Sequence, residues 1–198
     1  KENADLGAAF DTDGDRVTFI DEQGNEIRGD LTLALIAEHL LEDNPNEKIL
    51  YDLRSSRIIE GYIKEKQGFP IKSKVGHSII KKQMNLTKAL FGGELSGHYY
   101  YRENNNSDSG LITLIKMMQL LSKKNKKLSE LIQPLNRYSH SDVINVHVKD
   151  IDSKLNILKE DYKDGKINFL DGFTIEYDDW WFNIRKSNTE PAIRLVVE

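Results

Sequence analysis

The sequence predicts an α/β protein in two parts: a mixed-sheet α/β layer, then a small α+β domain with an antiparallel sheet. Three observations lead there. Strand-like apolar runs alternate with helical runs between residues 30 and 122. The stretch 111–122 is apolar on nearly every side, a pattern that belongs against a sheet. Beyond Pro134 the order becomes one strand, one helix and three closing strands, which suits a helix laid on an antiparallel sheet.

In chain order, ADLGAAF (4–10) reads as a short buried strand that delivers an acidic loop. RVTFID and NEIRG form a hairpin about Glu22-Gln23-Gly24-Asn25. Asp30 is placed to cap the helix LTLALIAEHLLED, whose Leu33, Ile36 and Leu40 recur at helical spacing. KILYDL (48–53) is a strand, SRIIEGYIKEKQG a helix ending at Gly68, and PIKSKV a strand. SIIKKQMN is a helix, and KALFGGE is a strand entering a glycine-rich turn. The polar loop RENNNSDSG precedes the 111–122 helix, whose methionines read as core filler. The lysine-rich run 123–127 reads as a solvated helix end. Then DVINVHVK alternates like a half-exposed strand, DIDSKLNILKEDYK is a helix, and FTIEYD, WWFNIR and AIRLVV are strands.

With 198 residues, 38% of them hydrophobic and 30% charged, the chain can bury a core, and its net charge of −4 offers no surface for nucleic acid or an anionic membrane. No apolar run reaches transmembrane length, and no signal peptide is present. The absence of cysteine excludes disulfides, thiolate metal sites and a cysteine nucleophile, and it fits a cytoplasmic protein. The chain begins at Lys1 just before one apolar strand and stops within another, so a fragment is expected.

Four motifs carry chemistry. FDTDGDR sets Asp11, Asp13 and Asp15 at alternate positions and follows them with Arg16. Such crowded carboxylates repel one another unless a cation sits among them, and a hard divalent ion such as Mg2+ prefers oxygen ligands. Arg16 beside it could hold a phosphoryl group. The rival reading is an EF-hand, since Asp11, Asp13, Asp15 and Glu22 fall at loop positions 1, 3, 5 and 12. Arg16 stands where that loop needs glycine, and the flanks read as strands. In FGGELSGHYYY, Glu94 and Ser96 can bond vicinal hydroxyls, Gly97 frees the backbone, and His98 can donate, accept or shuttle a proton. His77, in VGHSIIKK, opens a helix after a strand. IRKSNTEP gathers Arg185, Lys186, Ser187, Asn188 and Thr189 in one tight loop that can nest an anion. A metal site, a hydroxyl-reading loop and a second phosphate grip together suit a phosphosugar.

In this order, FDTDGDR, GGELSGH and RKSNTEP resemble the alpha-D-phosphohexomutase superfamily, and most closely its phosphomannomutase/phosphoglucomutase branch. The resemblance implies that residues 1–25 end the family's second domain with the metal loop. Residues 26–134 are then its third, sugar-binding α/β domain, and residues 135–198 most of its fourth, a phosphate-binding α+β domain of TATA-box-binding-protein-like fold. The first domain, with the phosphoserine that exchanges phosphoryl groups, is absent, so the N-terminal domains of the same enzyme are the missing partner. Asp11, Asp13 and Asp15 would hold Mg2+ beside that phosphoserine, with Arg16 neutralising the moving phosphoryl group. Glu94, Ser96, Gly97 and His98 would meet the sugar, with His98 in a supporting catalytic role. His77 and Arg54, the latter in YDLRSSR where many relatives have lysine, would line the same cleft. Arg185, Ser187, Asn188 and Thr189 would clamp the phosphate that is not transferred. The implied reaction interconverts hexose 1-phosphate and 6-phosphate through a sugar 1,6-bisphosphate, with the fragment inactive alone. Leu95 and Asn188 favour mannose and glucose phosphates. The alternatives are a phosphoglucosamine mutase, or a non-catalytic module binding sugar phosphate or Ca2+.

Overall fold

The run Tyr99-Tyr100-Tyr101 shows how the first part of the chain is layered. In a strand, successive side chains point to opposite faces, and here all three rings are buried, the outer two in one core and the middle one in another. A sheet buried on both faces is the consequence. The computed structural model describes residues 4–187 and 191–198, and the chain divides into one unit through Arg137 and a second spanning Tyr138–Glu198.

In the first unit, β1 (Gly7–Phe10), β2 (Val17–Ile20) and β3 (Glu26–Ile27) form an antiparallel sheet in that order. A mixed five-stranded sheet follows. Its strands are β4 (Lys48–Asp52), β5 (Phe69–Ser73), β6 (Phe91–Gly93), β7 (Tyr99–Tyr101) and β8 (Ser107–Asp108), in spatial order β5-β4-β6-β7-β8. β4 runs parallel to β5 and β6, and β7 and β8 return antiparallel. The helices are α1 (Gly29–Asp43), α2 (Ile58–Glu65), α3 (His77–Thr87), α4 (Gly110–Lys124) and α5 (Leu128–Ile132). Ile49, Tyr51, Phe91, Tyr99 and Tyr101 meet the apolar residues of α1, α2, α4 and α5 on one face of the sheet. Leu50 and Tyr100 meet Ile80 and Met84 of α3 on the other. The chain leaves β4 for β5 on one side and then crosses to β6 on the other. Crevices open at the carboxyl ends of strands where the order reverses in this way.

The second unit is a five-stranded antiparallel sheet. Its strands are β9 (Ile144–His147), β10 (Lys166–Asn168), β11 (Phe173–Glu176), β12 (Trp181–Lys186) and β13 (Ala192–Val197), ordered β10-β11-β12-β13-β9, with α6 (Ile151–Asp161). Leu155 of α6 packs on Phe173, Ile175, Phe182, Ile184 and Ile193. This is the α/β-then-α+β architecture that the patterning predicts. Among the described residues, no helix is long and apolar enough to cross a membrane.

Several local expectations are corrected. β1 is an edge strand and is largely exposed rather than buried. Asp30 lies inside α1 instead of capping it. Its buried carboxylate accepts from Leu31 N at 2.9 Å and Ser56 N at 2.8 Å and pairs with Arg28 at 3.0 Å, a fuller match than one cap bond provides. α4 buries Met117 and Leu120, but Leu111, Ile115 and Met118 stay exposed because the helix packs on α1 and β2 along one face only. Lys123 and Lys124 are not simply solvated; they bind Glu42 at 2.7 and 2.6 Å, and Lys124 also binds Glu38 at 2.9 Å. β7, β8, β10 and α5 have no counterpart in the sequence reading: three are strands of two or three residues, and α5 has only five.

The Glu42 contacts generate a prediction. Hydrogen bonds from Lys123, then Lys124, hold its carboxyl down at about 2, against an ordinary 4.5. Because the folded value is the lower one, the contribution is fully present above the ordinary value and is lost as pH falls through about 2. Glu42→Gln is expected to cost about 1 kcal/mol at neutral pH, the upper range for a part-exposed network. That difference should vanish near pH 2 when both proteins are compared by chemical denaturation.

Candidate functional site

Three loops of the first unit leave the carboxyl ends of β4, β5 and β6, and a fourth joins β1 to β2. The chemistry-bearing residues of that unit lie on these loops or on the elements they enter.

The acidic loop turns back on itself through a Gly14 N to Asp11 O bond of 3.2 Å. Arg16 donates its backbone N–H to Asp11 at 3.1 Å and its Nε to the other oxygen at 2.6 Å. Arg16's hydrogen bond and charge hold Asp11 down at about 2. The terminal amines of Arg16 make no hydrogen bond among the described residues, and the side chain is about half exposed at 47%. Asp11, Asp13 and Asp15 each bring a carboxylate oxygen to within 4.8 Å of the others. Asp15 Oδ1 is shielded from solvent without a hydrogen-bond partner. Burial raises the Asp15 carboxyl above its ordinary value, His98 opposes the rise, and Asp13, Asp11 and Asp108 add to it. An oxygen-only donor set with an orphaned, shielded carboxylate atom fits a hard divalent cation. The flanking elements are β1 and β2, so the helix pair of an EF-hand is absent here.

The metal loop and the glycine-rich turn are joined by backbone. Arg16 and His98 form an antiparallel bridge, and Val17 N donates to Gly97 O at 3.2 Å. The turn 94–98 connects β6 to β7, and Gly97 supplies the φ of +91° that closes it. Ser96 is exposed, with Oγ 3.1 Å from His98 Nδ1. His98 Nε2 stands 3.7 Å from Asp15. Glu94 is almost fully buried. It accepts from Gly76 N at 3.0 Å and Tyr100 Oη at 2.7 Å, and it lies 3.4 Å from His98 Nδ1 and 4.0 Å from Arg54. Burial, then the Glu94 charge, keeps the Tyr100 hydroxyl far above its ordinary range. Arg54 follows β4 and is locked on Asp52 by bonds of 3.1 and 2.6 Å. The same Asp52 accepts Arg54 N at 2.7 Å and Leu95 N at 2.8 Å. His77 is the first residue of α3, with its ring centroid 6.0 Å from that of His98.

Asp11, Asp13, Asp15, Arg16, Arg54, His77, Glu94, Ser96, Gly97 and His98 are therefore tied together within the first unit. Asp52, Tyr100 and Asp108 contact members of this group and were missed from sequence. Asp52 left one usable signal, a carboxylate two residues before an arginine at the end of an apolar strand. Tyr100 and Asp108 left none, because their burial depends on strands too short to read.

In the second unit Arg185 is a buried residue of β12, set directly opposite Arg194 of β13. Ser187 N closes the loop onto Ala192 O at 2.8 Å. Lys186 points the other way and pairs with Asp152 of α6 at 2.6 Å. Asn188 and Thr189 lie outside the described residues. A cavity of about 930 Å3 elsewhere in the first unit, beside His39 and Tyr101, is lined by Arg102, Lys116 and Lys123. These cations already pair with Glu47, Glu103 and Glu42.

Comparison with known proteins adds to this geometry. Residues 28–138 match the family model described as phosphoglucomutase/phosphomannomutase, alpha/beta/alpha domain III, and residues 143–198 match that of the C-terminal domain. The chain is 45% identical to a phosphomannomutase of Methanocaldococcus jannaschii over 198 residues, covering 100% of this chain and 44% of that protein. It is 37% identical to a phosphomannomutase of Escherichia coli, again covering 44% of the relative. The chain thus spans less than half the length of these curated relatives. A crystal structure of a phosphoglucomutase/phosphomannomutase family protein from Burkholderia thailandensis superposes with a TM-score of 0.87 at 33% identity, over 98% of this chain and 42% of that one.

The packing of α1 on the turn generates a prediction. A Cβ added to Gly29 would come within 2.5 Å of Leu95 O and 2.9 Å of Glu94 O, both backbone atoms. Gly29→Ala should push α1 off the turn and cost about 1–3 kcal/mol, as overpacking does. Thermal denaturation beside a Gly61→Ala control, where nothing lies within 4 Å of the new Cβ, checks this.

Proposed function

The chain belongs to the phosphoglucomutase/phosphomannomutase family, and on that premise we propose that it binds a hexose phosphate and a divalent cation as the C-terminal region of a phosphohexomutase. The supporting observation is the backbone bridge between Arg16 and His98, which sets three cation-fitting carboxylates beside a turn rich in hydroxyl-binding groups. On this reading residues 1–25 carry the metal loop, 26–134 the sugar-binding domain and 135–198 the phosphate-binding domain.

Asp11, Asp13 and Asp15 would hold Mg2+, which lowers the charge cost of moving a phosphoryl group. The open amines of Arg16 meet that group's oxygens, while its Nε stays committed to Asp11. Ser96 and His98 contact the sugar hydroxyls. Glu94, committed to Gly76, Tyr100 and His98, fixes the turn and offers its remaining acceptor capacity. His98 is hydrogen-bonding distance from Ser96 and can carry a proton to or from a sugar oxygen. Arg54, gripped by Asp52, lines the same cleft and lends it positive charge. Arg185, Ser187, Asn188 and Thr189 hold the second phosphate. The register of Arg185 against Arg194 supports this, because like charges directly opposite one another favour an anion.

The transferable phosphoryl group is assigned to a phosphoserine that no serine of this chain supplies, so mutase turnover by residues 1–198 alone is expected to be absent. Mannose and glucose phosphates, with the 1,6-bisphosphate as intermediate, are the proposed ligands, on Leu95 and Asn188. Calorimetric titration should show Mg2+ binding that Asp13→Asn weakens by about tenfold or more, since even outer-shell losses reach that size. Turnover by the chain alone, or Mg2+ binding indifferent to Asp13, would overturn the corresponding assignment.

A further inference from the structure

Asp108 has no part in that reading, yet it is a well-shielded carboxylate in contact with His77. It sits on β8 in register with Tyr100, and its side chain is 5% exposed. One oxygen lies 3.2 Å from His77 Nε2 and 3.3 Å from Lys81 Nζ. The other, Oδ2, is buried without a hydrogen-bond partner. We propose that Asp108 is a positioning residue of the sugar-phosphate site, acting through His77, with Lys81 as the second partner of the same oxygen. The proposal rests on the reading of the first unit as a sugar-phosphate site.

His77 needs such a partner. It is 46% exposed at the first position of α3, and the preceding Gly76 has no side chain with which to cap the helix or restrain the ring. An imidazole so placed would sample several rotamers, and a ligand would have to immobilise it at an entropic cost. Asp108 removes that freedom from a fixed point, because β8 is held in the sheet by β7. A carboxylate at this position favours the neutral tautomer with the proton on Nε2, which leaves Nδ1 as an acceptor. Lys81 lies four residues after His77, hence on the same face of the helix. α3 therefore brings both the group to be positioned and the counter-charge to a single oxygen. A second tie, Gly76 N to Glu94 at 3.0 Å, holds the backbone of the same segment against the turn. His77 is thus held from two sides: the backbone of the preceding Gly76 by Glu94, and the ring edge by Asp108.

The test uses the 198-residue chain with Asp108→Ala, Asp108→Asn, His77→Ala and the His77→Ala/Asp108→Ala double variant. At about pH 8, above the imidazole range, the ring nitrogen signals of His77 should show one Nε2–H tautomer. Asp108→Ala should average that pattern toward a free imidazole, while Asp108→Asn, whose carbonyl oxygen still accepts, should retain it. With mannose 1-phosphate as probe, Asp108→Ala should weaken binding about tenfold, the size of one ordered polar contact. The double variant should bind no worse than His77→Ala. An unchanged ring pattern in Asp108→Ala, or losses that multiply in the double variant, would overturn the proposal while leaving the site intact. A wild-type chain that binds no mannose 1-phosphate would instead overturn the sugar-phosphate reading, and this proposal with it. Unaltered signals from Leu50 and Tyr100 would show that the core around Asp108→Ala is preserved.

Discussion

A carboxylate with no contact with water is tolerated only when its lone pairs are met, and Asp52 is where the first unit satisfies that demand most completely. Its side chain is wholly buried at the end of the central strand, and it takes four hydrogen bonds: three from Arg54 and one from the amide of Leu95. Those bonds join the loop after β4 to the turn after β6. Breaking such a buried pair by removing one partner commonly costs about 3–5 kcal/mol, because a charge is left without compensation. Asp30 and Glu94 repeat the arrangement on either side. Asp30 ties the start of α1 to Ser56, and Glu94 ties the 94–98 turn to Gly76. Site geometry in this unit is thus set by buried acids whose bonds run between loops, and the apolar layers beneath supply the platform.

The same arrangement explains what was legible in the sequence. Periodicity reports which residues face a core, so α1 to α4, β4 to β6 and the closing strands of the second unit could be read directly. The motifs were legible because they are local: Asp11, Asp13, Asp15 and Arg16 share one short loop, and Glu94 to His98 one turn. What could not be read depends on partners distant in sequence. Asp108 matters because α3 lies across from β8, and Tyr100 because Glu94 is turned inward. The patterning also misjudged both flanks of the acidic sheet. β1 carries apolar residues yet lies at an edge, and α4 carries more of them than its single packed face can bury. Hydrophobic content shows that a segment can be buried; how many neighbours reach it decides whether it is.

The second unit separates its functions by strand alternation. On β12, Phe182 and Ile184 enter the core under α6, while Asn183 and Arg185 take the opposite face. Asn183 bonds Phe173 O and Thr174 on β11, and Arg185 lies across from Arg194. Lys186 returns to the helix side, where Asp152 neutralises it. One hairpin therefore presents a basic group to each side of the sheet. Two adjacent basic residues in sequence need not serve one ligand.

The loop that holds the three aspartates is anchored unequally. Its Arg16 end continues into β2, whose Val17 and Phe19 are in the core, and it bridges to His98. Its Asp11 end leaves β1, exposed along most of its length and paired on one side only. Fraying begins at such strands, with opening free energies far below that of global unfolding. A frayed β1 would carry Asp11 away while Asp15, Arg16 and the sugar-facing turn stayed in register. The three carboxylates are thus held unequally, Asp15 beside the bridged end of the loop and Asp11 beside a strand with one neighbour.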